Sequence, residues 1–223
     1  MIPIHDDNPT KSVPFVTVAL IAVCIAVFLW QLSLGSGFAA GVYQFGAIPA
    51  AILGLKMRPD VIAVIPLWAT LFTSMFMHAG WLHLLGNMLY LWIFGNNIED
   101  SMGHFKFIVF YIVCGLIAAL SHIIPNAGST IPMVGASGAI SGILGAYLLL
   151  FPRAMVLVVI PIIIYPYTIR VPAILVLGVW FLLQILSKSN TEGGVAFAAH
   201  IGGFVAGMLL VPIFKKRSVK FFN

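Results

Sequence analysis

Charge is what this sequence has least of: 11 lysines and arginines and six aspartates and glutamates in 223 residues, or 8% against the roughly 25% of soluble domains. A surface built for water is excluded, and with it a soluble enzyme or binding module. Acidic groups are the scarcer sign, and Asp6, Asp7, Asp60, Glu99, Asp100 and Glu192 all fall in expected loops or at the ends of apolar runs. With no carboxylate inside those runs and no paired repeat, a small transporter is disfavoured. Two cysteines, Cys24 and Cys114, supply neither a disulfide framework nor a metal spacing and read as small packing residues. The basic excess of +5 lies on no soluble domain, so no nucleic-acid partner is expected.

Apolar length is what the chain has in quantity. Hydrophobic residues make up 61% of it and the mean hydropathy is +1.11, the composition of a protein that crosses a bilayer several times. Hydropathy and turn residues predict six spans, at about 13–34, 81–97, 105–124, 134–152, 171–187 and 194–214. Each is expected to be a helix, because open backbone cannot face lipid. The first run is longer than a signal-peptide core and reads as a retained span. The fold class expected is therefore all-α, a six-transmembrane-helix bundle, with a membrane domain at 13–214 between an N-terminal tail (1–12) and a basic C-terminal tail (215–223). Met155 to Tyr167 is apolar but interrupted by Pro161 and Pro166, which suggests a re-entrant or surface-lying connection.

Basic residues orient the bundle. Lys11, Lys106, Arg153, Arg170, Lys215, Lys216, Arg217 and Lys220 fall on one side of the six spans, and Lys56, Arg58 and Lys188 on the other. That bias places both termini in the cytoplasm, and the basic tail can sit near anionic headgroups of the lipid bilayer. The second, fourth and sixth spans then enter from the outer face, and each carries polar residues near its entry: His83 and Asn87, Ser137, and His200. Three distant segments thus hold their reactive groups at about one depth.

Polar groups inside hydrocarbon-compatible runs are costly and ask for a chemical reason. Ser137 opens the fourth span amid small residues, where its plain reading is a packing face. In the first turn of a helix, however, it has free backbone N–H groups and the positive end of the dipole beside it, which suits a nucleophile whose attack creates an oxyanion. His200 shares a helical stripe with Gly203 and Gly207, and that stripe can press against the small face of the fourth span. Alone it could bind metal, relay protons or meet a carbonyl; beside Ser137 it reads as a general base. No acid completes a triad, so the site is a dyad whose imidazole must be oriented by some other contact. His83 and Asn87 lie four apart on one helical face, where they could donate to an oxyanion or simply join two helices. His78, His83 and His200 could supply three nitrogens to zinc, but the spacing and the missing carboxylate disfavour a metal, and no cofactor is needed. His78 reads as a loop or supporting group; His5, His104 and His122 read as interfacial residues; Glu99 with Gly103 reads as a helix-end hydrogen-bonding element.

Four ordered stretches carry a resemblance: Phe45-Gly46-Ala47-Ile48-Pro49-Ala50, His83-Leu84-Leu85-Gly86-Asn87, Gly135-Ala136-Ser137-Gly138, and Ala199-His200-Ile201-Gly202-Gly203 through Gly207, with Glu99 and Gly103 fitting a Glu-x-x-x-Gly pattern. In these, across about residues 40 to 212, the chain resembles the rhomboid family of intramembrane serine proteases. The resemblance implies a six-helix core with a wet cavity open to the outer face, Ser137 as nucleophile, His200 as base, and His83 and Asn87 helping the Ser137 N–H to hold the oxyanion. It implies a first loop lying partly in the outer leaflet. It also implies single-pass or multi-pass membrane-protein substrates, cut in or near a transmembrane segment, and residence in the cell (inner) membrane. One departure stands out: some bacterial members carry an aromatic residue four after the serine, stacked on the histidine, whereas here that position is Ser141. A catalytically silent relative that binds membrane clients is the competing expectation, and retention of both serine and histidine argues against it.

Overall fold

The computed structural model describes residues 2–56, 63–162, 165–187 and 196–223. In chain order β1 (Ile2–Asp6) precedes α1 (Phe15–Ser33), and three short helices follow, α2 (Phe38–Phe45), α3 (Pro49–Ile52) and α4 (Thr70–Thr73). Next come α5 (Trp81–Met102), α6 (His104–Ile123), α7 (Ser137–Leu150), the strands β2 (Met155–Ile162) and β3 (Tyr165–Pro172), α8 (Ala173–Ser187) and α9 (Phe197–Phe214). All six expected spans appear as helices. The protein is a mostly helical, multi-pass membrane protein.

Five of the six helices end within three residues of their expected bounds, while α5 runs on to Met102. The longer α5 has a local cause. Glu99, fully buried, spends its carboxylate on the start of α1 and so does not interrupt the helix. Gly103, at φ +85°, then ends α5 with its N–H on the Glu99 carbonyl at 2.7 Å, a left-handed stop that suits glycine. By length and composition α1, α6 and α9 could each cross a membrane; α7 and α8, at 14 and 15 residues, are shorter apolar helices.

Where a re-entrant or surface connection was expected after α7, the chain forms a hairpin instead. β2 pairs antiparallel with β3, with Val156 opposite Val171 and Pro161 opposite Pro166. The two prolines meet near the end of the paired stretch, where missing N–H donors disrupt the ladder least. β1 adds to the other edge of β2, giving the order β1-β2-β3. Val156 and Val158 turn inward and are fully buried, which seals the sheet against one end of the helices.

Both chain ends bond back to that same end of the bundle. The Lys11 N–H and the Ser12 hydroxyl donate to the Asp100 carboxylate at 3.0 and 2.6 Å, and the Lys216 N–H donates to the Ser101 carbonyl at 2.8 Å. The Phe222 and Asn223 N–H groups reach the Leu149 and Leu150 carbonyls at the close of α7. Of the three basic residues expected on the opposite side, Lys56 is described; Arg58 and Lys188, like the acidic Asp60 and Glu192, lie outside the described residues.

The core forms where α7 is packed by α5, α6 and α9. Phe94 of α5 meets Tyr147 of α7 edge-on at 5.0 Å, and Phe181 of α8 stacks on Phe204 of α9 at 4.3 Å. The outside is as apolar as the inside: Leu82, Leu209 and Ile213 are 88%, 71% and 71% exposed. In water such a surface would aggregate; lipid tails solvate it, and the helices are then held by close packing rather than by hydrophobic exclusion.

Candidate active site

Small residues set the site because they let backbones touch. α9 lies against α7 with Gly203 on the Gly138 carbonyl and Gly207 on Gly142. This approach draws together two side chains 63 positions apart: His200 Nε2 is 2.8 Å from Ser137 Oγ. Ser137 is the first residue of α7 and His200 the fourth of α9, so His200 lies one turn closer to its helix start than a span beginning at 194 would put it.

The first turn of α7 offers more than the hydroxyl. Its cap residue, Ala136, makes no side-chain capping bond, and the first N–H groups of a helix have no intrahelical acceptor. Ser141, four residues on, donates its hydroxyl to the Ser137 carbonyl at 2.6 Å. Its hydroxyl is thereby turned to the backbone beneath Ser137.

His83 arrives from α5 over a glycine. Gly135, at φ +127°, adopts a backbone that side chains rarely take, and a Cβ there would stand 2.6 Å from His83 Nε2. The Nε2–Cε1 edge of the imidazole therefore stands against the backbone two residues before Ser137. Its Nδ1 accepts the Ala79 N–H at 3.4 Å, which leaves Nε2 as the protonated nitrogen, on the Gly135 side. Asn87, one turn further along α5, is 8% exposed, and its Nδ2 has no hydrogen-bond partner among the described residues.

His78 stands behind this group, fully buried in the loop before α5. Its backbone is clamped by Gln31 of α1, whose amide donates to the His78 carbonyl and accepts the His78 N–H, each at 3.0 Å. Burial holds the His78 imidazole down to about 4, with His83 beside it adding to the effect, so the ring is neutral at physiological pH. Its edge meets His83 at 5.2 Å. His104, expected as an ordinary interfacial residue, instead bonds Glu99 through Nδ1 at 2.6 Å.

A residue of α8 that the motif reading passed over completes the site. Gln184 Oε1 is 2.8 Å from His200 Nδ1, and Trp180, one turn earlier, lies with its ring 5.9 Å from the imidazole. The orienting contact therefore comes from α8 and not from the position four after the serine. A signal was present in the sequence: Gln184 and Ser187 are the only polar side chains in the apolar run of α8. Beside Ser137 a cavity of about 20 Å³, walled by Met75, Gly115, Ala118, Gly135 and Ala199, has room for about one water.

The arrangement can move a proton from a hydroxyl to an imidazole at a site with free amide donors beside it. Comparison with known proteins shows what the chain is similar to. A family model described as "Rhomboid domain" matches residues 66–217. "Rhomboid protease GluP" of Bacillus subtilis (strain 168) is 31% identical over 208 residues, which cover 92% of this chain and 36% of that protein. "Rhomboid protease AarA" of Providencia stuartii is 28% identical over 207 residues, covering 87% and 70%. "Rhomboid protein 1, mitochondrial" of Saccharomyces cerevisiae (strain ATCC 204508 / S288c) is 30% identical over 146 residues, covering 61% and 39%. The chain thus spans little more than a third of the Bacillus relative.

Proposed function

Because this chain belongs to the rhomboid family, we propose that it is an intramembrane serine endopeptidase that cleaves membrane-protein substrates in or beside a transmembrane segment. The observation that carries the reading is the 2.8 Å contact between Ser137 Oγ and His200 Nε2, within reach for direct proton transfer.

In the proposed reaction Ser137 Oγ attacks the scissile carbonyl carbon while His200 Nε2 takes the hydroxyl proton. Negative charge moves onto the carbonyl oxygen, where the Ser137 N–H, the orphan Nδ2 of Asn87 and the Nε2–H of His83 act as donors. As the intermediate collapses, His200 gives its proton to the leaving amine and an acyl-Ser137 ester remains. A water then attacks the ester with His200 again as base, releasing the carboxylate and restoring the serine.

The depth of the site follows from helix length. A 14-residue α7 is about 21 Å long at 1.5 Å per residue, short of the ~30 Å hydrocarbon core. If its last turn meets the inner surface, where the basic residues of both tails gather, Ser137 lies roughly 9 Å below the outer one. Both termini are then cytoplasmic, the site opens to the outer face of the cell membrane, and 13–214 is the protease domain with its two tails bound to the cytoplasmic end. The narrow cavity beside Ser137 favours a small substrate side chain next to the cleaved bond.

The test is cleavage of a single-pass model substrate by purified protein in detergent, together with labelling by a fluorophosphonate. Wild type cleaves and is labelled, while Ser137→Ala and His200→Ala remain folded and do neither. Full turnover by Ser137→Ala would remove the nucleophile assignment, and a wild type that neither cleaves nor labels would favour a silent client-binding relative.

A further inference from the structure

Gln184 is a long polar amide in a helix built, Gly178 and the terminal Ser187 apart, from aliphatic and aromatic residues, and such a group persists in hydrocarbon surroundings only with its hydrogen bonds made. Both ends of its amide are occupied. Nε2 donates to the Trp180 carbonyl, one turn back on α8, at 3.3 Å. A carbonyl oxygen can only accept, so this bond fixes which end of the amide is which. Oε1 is thereby turned outward, where it stands 2.8 Å from His200 Nδ1.

The consequence passes through the ring. Oε1 can only accept, so Nδ1 must carry the hydrogen; a neutral imidazole has one N–H, so Nε2 is bare. Bare Nε2 is the atom 2.8 Å from Ser137 Oγ. The hydrogen bonds therefore run in one direction, from the Ser137 hydroxyl to Nε2 and from Nδ1–H to Gln184. With the opposite tautomer the Gln184 contact fails, a bare Nδ1 facing an acceptor, and Nε2–H donates to the Ser137 hydroxyl instead of being free to take its proton.

We propose that Gln184 is the positioning residue of the dyad, holding His200 in the Nδ1–H tautomer that leaves Nε2 free to take the Ser137 proton. It fills, with a neutral amide, the orienting place that a carboxylate has in a triad. When Nε2 becomes protonated, the Nδ1–H bond to Oε1 persists and strengthens, because its donor is then charged. Trp180 bounds the ring on one side, so a single turn of α8 both points and confines the base. For its kinetic consequence the proposal rests on the protease reading.

The experiment uses full-length protein in detergent micelles with ¹⁵N-labelled histidine, His200 being assigned by the signals missing from His200→Ala. Above the titration range of the ring, wild type is expected to give a pyrrole-type Nδ1 and a pyridine-type Nε2. Gln184→Leu, which keeps the bulk and loses the acceptor, is expected to give a mixture of tautomers and to lower kcat by about 10–10²-fold with little change in KM. Gln184→Glu restores an acceptor and is expected to restore the single tautomer and most of kcat. If Gln184→Leu disturbs folding, as read by its unfolding temperature, the Gln184→Glu spectrum and rate decide alone. A tautomer or a kcat that is the same in wild type and folded Gln184→Leu overturns the proposal, as does a Gln184→Glu protein with mixed tautomers. A wild type with the expected tautomer but no proteolysis would end the protease reading while leaving the hold of Gln184 on the ring established.

Discussion

Gly207 of α9 rests directly on the backbone of Gly142 in α7: a Cβ placed on it would stand 2.6 Å from the Gly142 carbonyl carbon and 2.7 Å from its Cα, besides overlapping the carbonyl oxygen. Backbone cannot swing aside as a side chain can, so even one methyl must push the two helices apart. Gly207→Ala is expected to destabilise the protein by about 1–3 kcal/mol or more, read as a lower unfolding temperature in detergent. Activity should fall with it, because the same separation opens the Ser137–His200 contact. Gly86→Ala is the control, since a methyl there meets nothing within 4 Å and gains helix propensity. Equal stability of the two variants would mean that α7 and α9 are not held by this contact.

Glu99 acts as a cap for a helix more than 80 residues earlier in the chain. Its carboxylate accepts the Val16 N–H at 2.9 Å, the Thr17 N–H at 2.7 Å and the Thr17 hydroxyl at 2.7 Å, with His104 Nδ1 at 2.6 Å. A carboxylate at a helix N-terminus satisfies orphan donors and meets the positive end of the dipole. Glu99→Gln brings an NH₂ into a ring of donors, and at least one is then unpaired. The expected cost is about 1–3 kcal/mol, measured by unfolding in detergent, with α1 the first element to lose amide protection. An unchanged unfolding temperature would sink this account.

The helices were legible because each is an apolar run of adequate length, a property read from neighbours in sequence. The sheet was not, because its evidence is spread across the chain. Ile2–Asp6 carries a proline and an aspartate and has no strand pattern of its own; it becomes a strand only by pairing with residues of β2, far along the chain. The prolines of the β2–β3 segment read as breaks, and only their mutual opposition in the register makes them compatible with a ladder.

The site divides in the same way. Ser137, His200, His83 and Asn87 stand out as polar residues at the entry ends of three spans, and the helices bring Ser137, His200 and His83 together. The partner of His200 was hidden, since the resemblance points to the position four after the serine, and Ser141 there bonds a carbonyl instead. Gln184 lies in a different helix, and only the crossing of α8 over α9 tells which imidazole it meets. Its rarity among apolar neighbours was the available sign.

Asp6 ties the N-terminal strand to α7 by accepting the Tyr147 hydroxyl at 2.5 Å. Burial raises its carboxyl above the ordinary range, outweighing the lowering by the Tyr147 bond and by nearby His5. A folded value above the unfolded one means that this group stabilises most below the ordinary carboxylate pKa, and that the contribution is lost as pH rises through the folded value. Asp6→Asn keeps an acceptor for Tyr147 and removes the ionisation. At neutral pH its β1–β2 amides should exchange more slowly than those of wild type, and the two proteins should converge below about pH 4. A variant that exchanges faster at neutral pH would show that the charged form is the one the strap needs.

Asn87 separates what a residue does for folding from what it does for chemistry. Its Nδ2 is buried without a partner, so the resting protein bears the cost of a desolvated donor, and removing the donor does not strip a bond from any neighbour. In the proposed reaction that donor meets the oxygen that becomes negative, where one lost contact costs about 10–10³-fold in rate. Asn87→Ala is therefore expected to unfold within a few degrees of wild type yet lower kcat by that factor with a smaller change in KM. Asn87→Asp tests the sign, because an acceptor-only carboxylate facing a developing oxyanion should be worse than alanine. If Asn87→Ala instead loses stability while kcat holds, the amide is a helix-joining group and the oxyanion donors lie elsewhere.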